Sequence, residues 1–277
     1  MEFTGERYVP SVDGQIRYEH LHRYALCLEF VKGRSVLDLA SGEGYGSVAL
    51  AKVAHSVIGV DIDAASIEHA NYQYRDCKNL KFLVGSCDSL PLPDESVEVV
   101  TSFETIEHHD KHEEMMLEIK RVLKPGGLLI ISSPNRLVYS DEPKYSNPYH
   151  VKELYYNELV SLLGRHFKEF NIFGQRLASA SFVSLLESSS SKNYAAYTGE
   201  FDNLREEACS LQSPVYFVAI CSDESQSIKC SVESIYIDAV DDLFKLIQND
   251  RIQSQIQLEK YQSDIEQSHS QLELTLT

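Results

Sequence analysis

Residues 36–46 read VLDLASGEGYG, and residues 57–61 read VIGVD. Each stretch contains a short apolar run, which is typical of a strand buried on both faces. Glycines between a strand and a helix let backbone N–H groups approach an anionic group of a ligand at the helix N-terminus. Asp61, at the end of the second run, can accept hydrogen bonds from both hydroxyls of a ribose. Together the two stretches predict a site for a nucleotide-containing ligand.

Length and composition limit the classes of protein that fit. The chain has 277 residues, 43% of them hydrophobic, which allows one large domain or one domain with an appendage. The formal net charge of −17 argues against nucleic-acid binding and against direct docking on anionic lipid. No apolar run approaches the roughly 20 residues of a membrane span, and the N-terminus lacks the apolar stretch of a secretory signal.

The six cysteines are scattered without a C-x-x-C pair, as expected for reduced thiols. We therefore expect a cytoplasmic protein, peripheral to the inner membrane only through a partner.

The order of apolar runs predicts the fold class. The runs indicate strands at 35–40, 56–61, 80–84, 97–102 and 127–132. Helical periodicity occurs at 15–32, 46–54, 64–75 and 111–123. Pro125-Gly126-Gly127 reads as a tight turn feeding the fifth strand. Two further runs, 167–173 and 215–221, fit an antiparallel edge pair. The expectation is an α/β fold: a Rossmann-like, doubly wound sheet of seven strands.

The chain divides into a main domain at 1–230 and a helix at 234–277. Residues 1–32 are expected to cap the domain, and the serine-rich and acidic interval 178–213 fits either a lid over the substrate or a plain surface loop. With Ile237 at position a, the heptad register of the C-terminal helix predicts a coiled coil that makes the protein a homo-oligomer. The pattern continues to Thr277, which indicates a truncated helix of a longer protein.

The register has apolar a and d positions interrupted by polar ones. The apolar positions are Ile237, Phe244, Leu258, Ile265 and Leu272 at a, and Val240, Ile247 and Tyr261 at d; Arg251, Ser254, Ser268 and Thr275 interrupt them.

Two kinds of cofactor bind to glycine loops of this type. A nicotinamide site needs a third glycine, but Ser47 stands at that position. An acid on the first strand followed by small residues at alternate positions instead suits S-adenosylmethionine. Asp38, Ala40, Gly42 and Gly44 supply that pattern, although Ala40 stands where glycine is commoner. A further acid, Asp88, follows the predicted third strand.

These segments, with LPLPDES at 90–96 and LKPGG at 123–127, appear in the order and spacing of one known family. Over residues 15–222 the chain resembles class I S-adenosylmethionine-dependent methyltransferases, in particular bacterial polysaccharide and sugar O-methyltransferases with a C-terminal coiled coil. The resemblance implies that the glycines approach the methionine moiety, that Asp38 receives its amino group, and that Asp61 and Asp88 bind ribose and adenine. Residues implied beside the cofactor are Ile62, Cys87 and Ser89 at the adenine, and Tyr8, Tyr45 and Phe103 at the sulfonium.

Beyond the fourth predicted strand comes FETIEHH, residues 103–109. Glu104, Glu107 and His108 would share one face of a helix, and with His150 they could hold Mg²⁺ or Mn²⁺. The set resembles the E-x-x-E-H…H metal site of ribose-terminus and ubiquinone-pathway O-methyltransferases. Without a metal, His108, Glu107 and His109 would serve as catalytic acid–base groups instead. A purely structural role is the third interpretation.

The resemblance to polysaccharide and sugar methyltransferases implies the acceptor, a sugar hydroxyl of a cell-surface glycan or its precursor. Arg7, Tyr8, His20 and Arg23 are expected to meet a sugar or phosphate; the alternative is a solvated helix face with ordinary salt bridges. A downstream glycosyltransferase or kinase domain is an expected partner. The alternatives are a quinone-like or other aromatic hydroxyl as acceptor, and a non-catalytic binding module carried by the coiled coil.

Overall fold

A computed structural model describes residues 14–178, 197–198, 205–206, 211, 213–224, 234–238 and 242–276. Arg7, Tyr8 and most of the interval 178–213 lie outside this part of the chain. Within it, no helix combines the length and the apolar character needed to cross a membrane.

Seven strands form one mixed sheet in the order β3-β2-β1-β4-β5-β9-β6, and β7 pairs only with β8. The strands are β1 (Ser35–Leu39), β2 (Ser56–Asp61), β3 (Leu80–Val84), β4 (Val97–Ser102), β5 (Leu123–Pro134), β6 (Glu169–Gln175), β7 (Tyr197–Thr198), β8 (Arg205–Glu206) and β9 (Tyr216–Ser222). Strands β1 to β5 pair in parallel, whereas β9 is antiparallel to β5 and β6. The strand order reverses between β1 and β4, which is where sheets of this kind form a ligand crevice.

Helices cover both faces of the sheet. They are α1 (Gln15–Val31), α2 (Tyr45–Ala51), α3 (Ala64–Gln73), α4 (His112–Val122), α5 (Tyr156–His166) and α6 (Asp242–Leu276). One apolar core joins α4 and α5 to the sheet, and a second joins α1 and α2 to its other face. Local signals support the helices: Asp63 caps α3 by accepting from the Ala65 amide at 3.1 Å.

The predicted sheet is confirmed, with two corrections. Strand β5 begins at Leu123, because Leu123 already pairs with Val97 and Leu128 pairs with Val99. Residues 125–127 are therefore an irregularity within the ladder, where Gly126 has a φ of 72°. The second correction is α5, which the sequence analysis did not predict although its apolar side chains complete one core.

The C-terminal region begins with a segment packed on α1. The Tyr236 ring lies edge-on to Tyr18 at 6.1 Å, and Ser234 hydrogen bonds to His22 at 2.8 Å. Helix α6 then exposes Phe244, Ile247, Leu258, Tyr261 and Ile265 at the predicted a and d positions. Ile252 and Ile256 are exposed outside that register, and the coiled coil stays a prediction.

Candidate active site

The glycine loop leaves the carboxyl end of β1 with left-handed backbone at three positions. The φ angles are 59° at Ala40, 52° at Gly42 and 82° at Gly44. A side chain at Gly44 is doubly excluded, because a Cβ there would lie 2.4 Å from the Phe82 ring. Alanine tolerates this region poorly, which explains why glycine is commoner at position 40. The loop thus keeps its backbone open toward the crevice, as the cofactor prediction requires.

Asp61 lies at the carboxyl end of β2 and is partly exposed. Its Oδ2 accepts a hydrogen bond from the Gly42 amide at 2.8 Å, and its Oδ1 accepts one from Asp63 at 2.9 Å. A carboxylate has about four lone-pair positions, so further hydrogen bonds from a diol remain available. Asp61 therefore ties the glycine loop to β2 at the position predicted to bind ribose.

Asp38 is buried beneath the crevice and surrounded by hydroxyl donors. Ser47 donates to it at 2.6 Å, Thr101 at 2.8 Å and Tyr24 at 3.3 Å. Ser47, which replaces the third glycine of a nicotinamide site, thus has a role of its own. Asp38 is only 1% exposed and accepts hydrogen bonds from three donors, so it stabilises the loop from beneath the crevice. An amino group of a ligand would reach Asp38 only by displacing one of these donors.

The burial of Asp38 predicts a pH dependence of stability. Desolvation outweighs the three hydroxyl donors and raises the pKa of Asp38 to about 6. Because the folded pKa lies above the unfolded value of about 3.9, the contribution of Asp38 to stability is fully present below about pH 4 and is lost as pH rises through about 6. The loss is on the order of 3 kcal/mol, at about 1.4 kcal/mol per pKa unit. Urea denaturation at pH 4 to 7 should show a smaller loss in Asp38→Asn; equal losses would contradict the assignment.

The predicted adenine end holds Asp88, Cys87 and Ile62. Lys111 and Ser86 both donate to Asp88, which lowers the pKa of its carboxyl to about 2. Ile62 is 74% exposed beside Asp61, as expected for an apolar side chain that awaits an aromatic ring. His109 lies here as well, 3.4 Å from the Cys87 sulfur. It therefore faces the adenine end, and its predicted catalytic role is not supported by its position.

Aromatic side chains from α1, α2 and the residue after β4 pack together near the predicted sulfonium. The Tyr24 ring lies edge-on to Tyr45 at 5.8 Å and to Phe103 at 5.1 Å. His20, predicted to meet substrate, is buried and its Nδ1 contacts the Tyr45 hydroxyl at 2.7 Å. Burial lowers the pKa of His20 well below its usual range, so it is neutral and acts in packing.

Glu104 follows β4 and is separated from the predicted metal group. Its backbone φ is 50°, an uncommon value for a residue other than glycine. Ser132 on β5 donates to Glu104 Oε1 at 2.7 Å and accepts from the Glu104 amide at 3.0 Å. Arg23 Nη1 lies 3.3 Å from the same oxygen. Residues 106–108 form a short 3₁₀ helix, so the predicted shared helical face is wrong.

Arg23 is buried on the side of the crevice beyond β4. Its Nε donates to Gln175 at 2.7 Å, and its guanidinium lies 4.5 Å from the centre of the Tyr216 ring. In the described part of the chain, Nη1 and Nη2 have no hydrogen-bond partner. Arg23 and Glu104 thus place opposite charges side by side beyond β4.

Glu107, His108 and His150 form the group that the sequence predicted as metal ligands, without Glu104. One candidate ligand atom from each lies within 4.8 Å of the other two, and His108 Nε2 is 4.0 Å from Glu107 Oε1. A carboxylate and two imidazoles at this separation are residue types that bind divalent cations. Burial raises the pKa of Glu107 well above its usual range. Neither carboxylate oxygen has a hydrogen-bond partner among the described residues, so the group fits a divalent cation.

Three functional residues were missed by the sequence analysis. Tyr24 was read only as an apolar position of α1, although it also donates to Asp38. Ser132 holds Glu104, and no local signal in its strand marks it. Glu153 hydrogen bonds to His150, and the i, i+3 spacing of these two residues in the sequence is a signal that could have indicated the contact.

The sheet order, the open glycine loop after β1 and the acids at Asp38, Asp61 and Asp88 define a class I methyltransferase fold. Residues 37–131 match the family model described as a methyltransferase domain. Over these residues the chain is thus similar to S-adenosylmethionine-dependent methyltransferase domains.

Two of the similar curated proteins come from mycobacteria. The chain is 38% identical over 168 residues to a probable S-adenosylmethionine-dependent methyltransferase of Mycolicibacterium smegmatis, covering 59% of this chain and 63% of that one. A protein of the same description from Mycobacterium tuberculosis is also 38% identical over 168 residues, covering 59% of this chain and 60% of its own. The chain therefore spans less than two thirds of these curated relatives.

A solved structure supports the fold. A methyltransferase from Thermotoga maritima superposes with a TM-score of 0.54 at 21% identity, covering 75% of this chain and 90% of that chain.

Proposed function

We propose that this protein transfers the methyl group of S-adenosylmethionine to a hydroxyl of a sugar-containing acceptor. The observation that carries the proposal is the pair of sites on either side of the β1–β4 switch point. Strand-end acids and an open glycine loop lie over β1, β2 and β3, and a cluster of charged side chains lies beyond β4. Methyl transfer needs such an arrangement, with donor and acceptor held in line.

On the donor side, Asp61 accepts from the ribose hydroxyls and Ile62 covers the adenine. Asp88 meets the adenine amine once Lys111, which is largely exposed, shares or leaves its carboxylate. The rings of Tyr45 and Phe103 lie toward the sulfonium. The sulfonium is a cation, and the face of an aromatic ring attracts cations.

On the acceptor side, a largely buried cluster of charged and hydrogen-bonding groups lies beyond β4, with Glu104 as its partly exposed member. Arg23, Gln175, Glu104 and Glu107 come together there, whereas a quinone-like acceptor would favour an apolar pocket. This chemistry supports a hydroxyl-rich acceptor such as a glycan.

The reaction breaks the S–CH₃ bond, forms an O–CH₃ bond and releases one proton and neutral S-adenosylhomocysteine. We assign Glu104 as the proton acceptor, because Ser132 and Arg23 hold one of its oxygens and the side chain remains 18% exposed. Glu107, His108 and His150 would hold a divalent cation, which supplies Lewis acidity that favours loss of a hydroxyl proton. This assignment replaces His108, Glu107 and His109 as the predicted acid–base groups.

Calorimetry with S-adenosylhomocysteine tests the donor side, and radiolabelled methyl transfer to bacterial polysaccharide extracts tests the acceptor side. We expect micromolar cofactor binding and label in the carbohydrate fraction. Absence of cofactor binding would reject the proposed activity. Label confined to the lipid-extractable aromatic fraction would favour a quinone-like acceptor instead.

Glu107→Gln tests the cation. We expect this variant to lose binding of Mn²⁺ at least about 10-fold, because the amide removes the only negative ligand of the group. In chelator its stability should equal or exceed that of the parent, since a buried carboxyl with no hydrogen-bond partner is replaced by a neutral group. Glu95→Gln, far from the crevice, is the control. If Glu107→Gln binds Mn²⁺ as tightly as the parent, the proposed cation site at Glu107, His108 and His150 is wrong.

A further inference from the structure

The loop from Asn147 to Glu153 is fastened to the backbone of Glu107. The Glu107 carbonyl accepts hydrogen bonds from the Val151 amide at 2.8 Å and the Lys152 amide at 3.0 Å. The loop therefore places His150 opposite the Glu107 carboxylate by backbone contacts, without needing a bound ligand to hold it there.

The His150 ring is held in one tautomer. Asn147 Oδ1 accepts from the Tyr149 amide at 3.0 Å, which turns the Asn147 amide nitrogen toward His150 Nε2 at 3.0 Å. An amide nitrogen can only donate, so Nε2 carries a lone pair and Nδ1 carries the proton. That proton points at Glu153 Oε1, 2.6 Å away. Both side chains are 8% exposed, so water competes little for this hydrogen bond.

A second histidine is arranged in the same way. His108 Nδ1 lies 3.0 Å from the Tyr149 carbonyl oxygen, which accepts its proton and leaves Nε2 on the side of Glu107. The Tyr139 ring stacks on His150 at 5.3 Å and an angle of 23°, which fixes the plane of that imidazole. In both rings an oxygen atom accepts the Nδ1 proton, so the lone pair of Nε2 is available to a metal. This arrangement is common around protein-bound metals.

We infer that Glu153 is the positioning residue of a divalent-cation site, holding His150 in the tautomer and orientation that bind the cation. The inference rests on the cation of the proposed function and adds a residue that does not itself touch the ion. Glu153 acts through the imidazole: its carboxylate accepts the Nδ1 proton, raises the electron density at Nε2 and prevents the ring from turning over. The Asn147 amide occupies the lone pair until the cation replaces it.

Titration of the full chain with Mn²⁺ after chelator treatment, followed by calorimetry, tests this inference without an acceptor. Glu153→Gln is expected to weaken Mn²⁺ binding about 10- to 100-fold, the usual effect of losing such a partner. Glu153→Asp retains the charge and should bind more tightly than Glu153→Gln. Glu142→Gln, exposed in the same region, is the matched control and should bind like the parent.

Two further measurements separate positioning from general loss of structure. The affinity for S-adenosylhomocysteine should stay within about 2-fold of the parent in Glu153→Gln, and the imidazole nitrogen signal in pulsed EPR spectra of bound Mn²⁺ should weaken. If the parent binds Mn²⁺ and Glu153→Gln binds it equally well, the role inferred for Glu153 is wrong, although the proposed cation site is retained. If the parent fails to bind Mn²⁺, both the proposed cation site and this inference are wrong. The proposed site for the methyl donor is not affected by that result.

Discussion

Asp61→Ala is expected to weaken binding of S-adenosylhomocysteine by about 100-fold or more. Hydrogen bonds to a charged group contribute roughly 1.5–3 kcal/mol each, and about 1.4 kcal/mol corresponds to a factor of ten. The variant loses the bonds to the ribose diol and also the bond from the Gly42 amide, so the glycine loop loses its tie to β2. Isothermal titration calorimetry measures the effect directly.

The matched control is Asp76→Ala, which removes the same charge from an exposed turn between α3 and β3. The affinity of this variant for S-adenosylhomocysteine should remain within about 2-fold of the parent. The reason is that exposed charges more than a Debye length from a binding site are largely screened. An Asp61→Ala variant that binds as tightly as the Asp76→Ala control would show that ribose is bound elsewhere.

Gly46→Ala is expected to lower the free energy of unfolding by about 3 kcal/mol, at the upper end of overpacking effects. A Cβ at this position would lie 1.8 Å from Cζ of the Tyr24 ring. The ring cannot retreat, because it packs edge-on against Tyr45 and Phe103 and its hydroxyl donates to Asp38. The same strain should weaken cofactor binding. Urea denaturation and calorimetry together measure both effects.

Gly164→Ala provides a control of opposite sign. This glycine lies within α5, and a Cβ there would be 3.7 Å from the Phe170 ring, an ordinary contact. Alanine in a helix is favoured over glycine by roughly 0.5–1 kcal/mol, so this variant should be slightly more stable than the parent. If both substitutions destabilised the protein equally, the close approach of α1 to α2 at Gly46 would not be the cause.

The donor side of the site could be predicted because its signals are local. A buried strand followed directly by Asp61, or by glycines after Asp38, places those groups at one edge of a parallel sheet wherever the rest of the chain lies. The same reasoning found Glu107, His108 and His150, because the chemistry of metal ligands restricts which residue types can meet.

The acceptor side could not be predicted in the same way, because its contacts join distant parts of the chain. Ser132 was read only as part of a strand, yet it holds Glu104 in a backbone conformation that no propensity indicates. Arg23 was expected to meet a ligand, but its contact with Gln175 depends on how the antiparallel edge strands return across the sheet. Spacing also failed at Glu104, since the helical periodicity assumed there is replaced by a 3₁₀ turn.

Helix α1 is synthesised before the strands that bury it, and this order has a consequence for folding. Arg23 and its partner Gln175 are 152 residues apart in the chain, and Tyr216, whose ring lies under the same guanidinium, comes later still. Closing so long a loop is slow, and a buried charged group that lacks its partners meanwhile costs free energy. On the ribosome, α1 can pack against α2 and β4 before β9 has emerged, whereas Arg23 has neither Gln175 nor Tyr216 until β6 and β9 are made. Premature termination before Gln175 therefore leaves the guanidinium of Arg23 without either partner.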